Sequence, residues 1–225
     1  MCRGSVEAMS THEHEAQGLG QERHRGPLRE GERVQIRDPK GRLHTVILVS
    51  GGRFQSNRGF IDHDDLIGRP DGQVVTTEEG RQFQILRPLQ VDYVMSMPRG
   101  AAVVYPKDAG TIVHYADIFP GAVVVEAGAG SGALSMALLD AVGERGRLIS
   151  VERREEFAQI ARDNVDLWFG APHPAWDLRV NDLADELSAM PESSVDRVVL
   201  DMLAPWENLD AVAHALVPGG VLCCY

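Results

Sequence analysis

From Gly121 to Tyr225 the sequence alternates short apolar runs with amphipathic stretches, and few folds accommodate that alternation. Val123-Val124-Val125, Leu148-Ile149-Ser150-Val151, Leu178-Arg179-Val180, Val198-Val199-Leu200 and Val221-Leu222-Cys223-Cys224 read as buried strands. Between them, apolar residues recur at helical spacing over roughly 133–142, 155–169 and 206–216. Strands separated by helices imply a parallel sheet with crossover connections, hence an α/β, doubly wound, Rossmann-like architecture. Because the sequence stops at Tyr225, at the end of the fifth run, the sheet reads as truncated after that strand, with a hydrophobic edge that later strands would cover.

The pattern upstream is different. Arg33-Val34-Gln35-Ile36, Thr45 to Val49, Gln73 to Thr76 and Phe83 to Leu86 are β-rich and separated by Pro39-Lys40-Gly41, Gly51-Gly52, Pro70-Asp71-Gly72 and Glu79-Gly80. They predict a small antiparallel β domain over 31–97, followed by a catalytic domain over 98–225. Pro106 or Asp108 is placed to open a helix reaching Tyr115. Residues 1–30 are polar and aperiodic and read as a disordered tail, in which the run His12-Glu13-His14-Glu15 is a solvated stretch rather than a metal site.

The net charge of −11 argues at first against a nucleic-acid partner, but the charge is unevenly spread. Residues 33–110 hold 11 basic and 9 acidic side chains, whereas residues 111–225 hold 7 and 18. That division suits a recognition module joined to an acidic catalytic domain, although an acidic surface that aids solubility explains it equally well. No run approaches the roughly 20 apolar residues that span a bilayer, and no signal peptide is evident, so a cytoplasmic location is expected. The three cysteines, Cys2, Cys223 and Cys224, suggest neither a disulfide framework nor a metal site.

The segment Val125-Glu126-Ala127-Gly128-Ala129-Gly130-Ser131-Gly132-Ala133 joins the first strand to its helix. Its glycines allow a tight turn and close approach of a ligand to the backbone, and the helix start offers free N–H groups. Alone the loop also satisfies the dinucleotide pattern G-x-G-x-x-G/A, with Glu152 where a ribose-binding acid is expected. Glu126 separates the two cofactors: a carboxylate at that strand end repels a pyrophosphate but attracts the ammonium of a methionine moiety, directly or through water. Glu152 then accepts the ribose hydroxyls, and Asn181-Asp182, ending the third strand, accepts the adenine amino group. S-adenosylmethionine is the cofactor this combination favours.

Several further motifs carry a resemblance. Arg87-Pro88-Leu89, Asp92-Tyr93-Val94-Met95, Tyr105-Pro106-Lys107-Asp108, the Glu126 to Gly132 loop, Asn181-Asp182-Leu183 and Asp201-Met202-Leu203-Ala204-Pro205-Trp206 resemble the tRNA (adenine-N1)-methyltransferases that modify adenine 58 of the T-loop, especially their actinobacterial branch. The resemblance runs from about Gly31 to Tyr225. It implies a homotetramer acting on tRNA, and a cofactor site comprising Glu126, Gly128, Gly130, Ser131, Gly132, Ala133, Glu152, Asp182, Leu183 and Asp201. Family members continue past the fifth strand, which this sequence does not.

Methylation at N1 demands an unpaired or flipped base and close positioning of the methyl group. Asp201, ending the fourth strand, is the candidate catalytic carboxylate that accepts the 6-amino hydrogen and stabilises the charge growing on the ring. Tyr105 is the second candidate, by stacking or through its hydroxyl. Trp206 fits core packing as well as base stacking. Arg53, Arg58, Arg81, Arg87, Arg99 and Lys107 are candidate phosphate contacts, of which Arg99 and Lys107 flank the entry to the catalytic domain.

Overall fold

The computed structural model describes residues 25–225, so the His12 to Glu15 run and Cys2 lie outside the described residues. Four strands, β1 (Arg33–Arg37), β2 (Leu43–Ile47), β5 (Val74–Thr76) and β6 (Gln82–Leu86), form an antiparallel sheet in the order β2-β1-β6-β5. A separate hairpin pairs β3 (Arg53–Ser56) with β4 (Gly59–Asp62). Val34, Ile36, Leu48, Ile61, Leu66, Phe83 and Ile85 close a core between them.

The second sheet is wholly parallel, in the order β11-β10-β7-β8-β9, with β7 at Val123–Ala127, β8 at Arg147–Glu152, β9 at Trp176–Val180, β10 at Val195–Leu200 and β11 at Leu216–Cys224. Side-chain alternation sends Val124, Leu148 and Val199 to one face. There they pack with α1 (Gln90–Ser96), α2 (Pro106–Tyr115), α3 (Ala133–Val142) and α4 (Glu155–Phe169). Val125, Ile149, Val151, Val198 and Leu200 face the other way, onto α5 (Leu183–Ala189) and α6 (Leu209–Ala215). A sheet covered on both faces requires apolar central strands, which is why β7, β8 and β10 were readable; β9, at one edge, instead alternates Trp176, Leu178 and Val180 with Asp177 and Arg179.

Several elements depart from the expected pattern. The last helix is split: Ala204 has a left-handed φ of 53°, Pro205–Asn208 form a 3₁₀ turn, and only then does α6 begin. β11 starts earlier than Val221, because Leu216 pairs with Val195 before a register shift brings Val221 opposite Arg197. Both α1 and α5 are seven-residue helices, too short to give a repeating apolar pattern. Among the described residues no helix is long and apolar enough to cross a membrane, and no group of three or more metal-ligating side chains is suited to hold a metal ion.

Candidate active site

The parallel strands end together, and their carboxyl edge gathers the acids. Two backbone bonds tie the ends of β7 and β10: Asp201 N donates to Ala127 O at 2.5 Å and Gly128 N donates to Asp201 O at 3.1 Å. Ala129 N reaches Val151 O at 3.2 Å, so the glycine loop is anchored to strands on both sides of β7. Gly132, with φ 81°, caps α3 and lies so close to α4 that a Cβ there would stand 3.0 Å from Val165 Cγ2 and 3.2 Å from Ala161 O. Glycine is required at that position both for the left-handed turn and for the helix contact.

Glu126 shares its sheet face with Val124 and is fully buried. Ser135 of α3 and Ser150 of β8 donate to its Oε2 at 2.6 and 2.5 Å, and Trp176 Nε1 donates to Ser150 Oγ at 2.9 Å. Its other oxygen, Oε1, is buried with no hydrogen-bond partner among the described residues. Burial pushes this carboxyl up to about 7; the two serine hydroxyls oppose the rise, and the charges of Asp201 and Glu152 add to it. Glu126 therefore stands behind the loop with no exposed atom, where its charge and not a surface contact is what it can present to the cleft.

Glu152 is buried at the end of β8, where Oε2 accepts from Gly130 N at 3.0 Å and Oε1 accepts from Arg154 N and Nε at 3.1 and 3.0 Å. Asp182 is exposed at the N-cap of α5, where Oδ1 accepts from Ala184 N at 3.0 Å and Oδ2 lies 3.9 Å from Arg153 Nε; Leu183 beneath it is buried. Ser131 is buried and Ala133 opens α3. Asp201 is partly exposed, no hydrogen bond or ion pair from the described residues engages its carboxyl group, and burial raises its pKa above the ordinary value. An acid so placed, beside a glycine loop and with unused acceptor capacity, is available to a ligand.

The opposite wall comes from α2. Tyr105 occupies its N-cap position and is half exposed. Asp108, one turn on, accepts from Lys107 Nζ at 2.6 Å and from Tyr225 OH at 3.0 Å, which together hold its carboxyl below the usual range although burial opposes them. Tyr225 is held by its amide on Leu200 O at 3.0 Å, so Asp108 is joined to the strand that carries Asp201. Asp108 and Tyr225 were not among the sequence candidates, although Asp108 closes the Tyr105-Pro106-Lys107-Asp108 motif. Trp206 and Leu203 are strongly exposed, which removes core packing as the role of Trp206.

Most of the phosphate candidates are engaged within the protein. Arg87 is largely buried against Glu32 and donates to the carbonyls of Gly26 and Pro27. Arg58 turns inward to Asp38 at 3.4 Å, Arg53 pairs with Asp62 at 2.5 Å, Arg99 donates to Val94 O and Met95 O, and Lys107 pairs with Asp108. Arg87 and Arg58 are thus structural cations, because each has a fixed internal acceptor set that competes with phosphate. Arg81 is exposed, with its guanidinium unengaged among the described residues.

A parallel sheet in this order, with its acids and glycine loop on one edge, fits the S-adenosylmethionine-dependent methyltransferase class. Two solved structures superpose over most of the chain. A SAM-dependent O-methyltransferase from Thermotoga maritima gives a TM-score of 0.80 at 31% identity, covering 88% of this chain and 73% of that one. The tRNA (m1A58) methyltransferase TrmI from Aquifex aeolicus gives 0.73 at 25% identity, covering 87% and 74%. The tRNA (adenine(58)-N(1))-methyltransferase TrmI of Thermus thermophilus is 35% identical over 190 residues, 84% of this chain and 73% of its own length. The Methanocaldococcus jannaschii tRNA (adenine(57)-N(1)/adenine(58)-N(1))-methyltransferase TrmI is 31% identical over 185 residues, 73% and 64%. Residues 26–75 match the family model described as TrmI-like N-terminal, and residues 83–225 match that of the tRNA methyltransferase complex GCD14 subunit. The chain belongs to this tRNA methyltransferase family.

Proposed function

We propose that the chain transfers a methyl group from S-adenosylmethionine to N1 of adenine in tRNA, at position 58 of the T-loop. The observation that carries the reading is the carboxylate of Asp201, without a hydrogen-bond or ion-pair partner among the described residues and fixed by its own backbone to the glycine loop. The residues present suit the cofactor: Gly130 and Gly132 adopt positive φ beside the free N–H groups of α3, and a Cβ on Gly128 would stand 3.1 Å from Glu152 Oε2. The acceptors are carboxylates throughout: exposed Asp182 is open to the adenine amino group, Glu152 at the end of β8 to the ribose hydroxyls through its remaining acceptor capacity, and buried Glu126 favours the ammonium through its charge. Ser131, Ala133 and Leu183 shape the cleft floor. S-adenosylmethionine, when bound, supplies an electrophilic methyl on a sulfonium.

Transfer of that methyl to the adenine N1 lone pair, with the sulfonium leaving as a thioether, would make the base cationic, and this is the charge that the chain's own residues would have to offset. Asp201 accepts the 6-amino hydrogen, orients the ring and offsets that charge, then takes the proton or passes it to water. Tyr105 and Trp206 offer aromatic surface to a flipped base. The N-terminal β domain supplies the surface for the rest of the tRNA. A homotetramer is supported by the exposed apolar side chains Leu89, Val91 and Met95 about α1, and light scattering of the purified chain measures it.

Labelled S-adenosylmethionine and an unmodified tRNA transcript test the activity. The expected product is N1-methyladenosine at position 58, absent when that adenine is replaced. Label on hydroxyl-bearing small molecules and none on tRNA would mean an O-methyltransferase instead.

A second test concerns Asp182, which also caps α5. Asp182→Ala should weaken cofactor binding by on the order of 1–3 kcal/mol and cost the fold roughly 1 kcal/mol through the lost cap. Asp182→Asn keeps the cap, so its melting temperature should match the parent while calorimetry still records weaker binding. Unchanged affinity in both variants removes Asp182 from the site.

A further inference from the structure

Asn164 lies on α4, outside the acid cluster, yet touches two parts of the site at once. It is 2% exposed, and its Nδ2 donates to Pro98 O at 2.9 Å and to Ser131 O at 3.0 Å. Both partners are carbonyls, which fixes the amide orientation and uses both of its hydrogens. Ser131 Oγ in turn accepts from Gly100 N at 3.1 Å and Ala101 N at 3.5 Å. Segment 98–104 therefore runs as a strap along the glycine loop and delivers the chain to Tyr105.

The strap is seated on α4 as well. A Cβ on Gly100 would stand 2.6 Å from Phe157 Cδ1 and 2.8 Å from Ile160 Cδ1, so a side chain there would have to displace these two side chains or lift the strap. Asn164 is itself held, because the buried Tyr93 hydroxyl donates to its carbonyl at 2.7 Å, and Arg33 of the N-terminal β domain lies over the Tyr93 ring at 4.7 Å. The glycine loop has further anchors, at Ala127, Val151, Asp201 and Glu152, whereas the strap's hydrogen bonds to the loop and to α4 run through Ser131 and Asn164.

We infer that Asn164 is a positioning residue for methyl transfer: it clamps the 98–104 strap to the glycine loop and thereby fixes Tyr105 beside the cleft. The inference rests on the methyltransferase reading above. Because the loop keeps its other anchors when the amide is lost, the clamp governs turnover more than cofactor affinity. Small displacements of a positioning wall are costly when reacting atoms must be held in line.

Two measurements on Asn164→Ala test this. In the cofactor-free chain, the Gly100 and Ala101 amides should exchange with solvent on the order of 10-fold faster than in the parent. Single-turnover methylation of tRNA at saturating cofactor should slow ~10-fold or more, with cofactor Kd altered by less than about 3-fold (under 0.7 kcal/mol). Gly100→Ala, which pushes the strap off α4 from the other side, should give the same split. A purely structural role would lower the reaction amplitude and not the rate of the folded fraction. Unchanged exchange, an unchanged rate, or equal losses in rate and affinity overturn the inference, as does failure of both variants to fold. A parent chain that methylates no tRNA, with exchange still altered in the variants, overturns the substrate reading and supports the clamp.

Discussion

Asp201→Asn is expected to lower single-turnover methylation of tRNA by ~10²-fold or more while leaving cofactor affinity near that of the parent. The separation follows from the geometry. Asp201 holds the glycine loop through its main chain, donating to Ala127 O and accepting from Gly128 N, and neither bond involves the side chain. The carboxylate has no partner among the described residues, so replacing it unpairs nothing in the resting protein. What disappears is the negative charge that offsets the cation forming on the base. Tyr105→Phe, which keeps the ring face, should lose far less if the tyrosine stacks; a loss equal to that of Asp201→Asn would assign its hydroxyl a polar role. Rates at saturating cofactor, with calorimetric affinities on the same preparations, check both. Near-normal turnover by Asp201→Asn would remove charge stabilisation from the mechanism even if the substrate stood.

The parallel sheet was legible because strands buried on both faces must be apolar along their length, and their carboxyl ends are then where the acids fall. Glu126, Glu152, Asp182 and Asp201 could be assigned to one edge by counting alone. Their present partners could not: Glu152 is occupied by Gly130 N and Arg154, and Glu126 by hydroxyls from Ser135 and Ser150. These contacts depend on which face each residue takes and on how α3 is seated. The hairpin β3–β4 was invisible for the opposite reason. It has little apolar content beyond Phe54, Phe60 and Ile61, and its pairing is fixed by tertiary packing. Arg87 illustrates the general limit, since its partner Glu32 is 55 residues away in sequence. A lone cation read from sequence is a phosphate ligand or a structural ion pair with equal ease.

Glu126→Gln should remove a pH dependence of stability and at the same time weaken cofactor binding. The carboxyl is buried by the β7, β8 and α3 packing, receives two serine hydroxyls, and faces the charges of Glu152 and Asp201. Its pKa in the folded chain is about 7, against 4.5 for an ordinary glutamate. Below pH 4.5 both folded and unfolded states hold the proton, and the group contributes nothing to the balance. Between 4.5 and 7 the folded state keeps a proton that the unfolded state has released, so stability falls as pH rises; above 7 the charge is buried at full cost, about 3 kcal/mol. The amide variant is neutral throughout. In the ligand-free protein it should melt on the order of 6–12 °C above the parent at pH 8, and near the parent at pH 5. The cost has a use if a cation binds in front of the loop. A positive ligand favours the ionised form, so binding near pH 7 should release a fraction of a proton, seen as a dependence of calorimetric enthalpy on the buffer's ionisation enthalpy. Glu126→Gln should bind more weakly and without that dependence. Parallel melting curves for parent and variant from pH 5 to 8, with identical enthalpies across buffers, would show that Glu126 carries no titrating charge and does not sense the ligand.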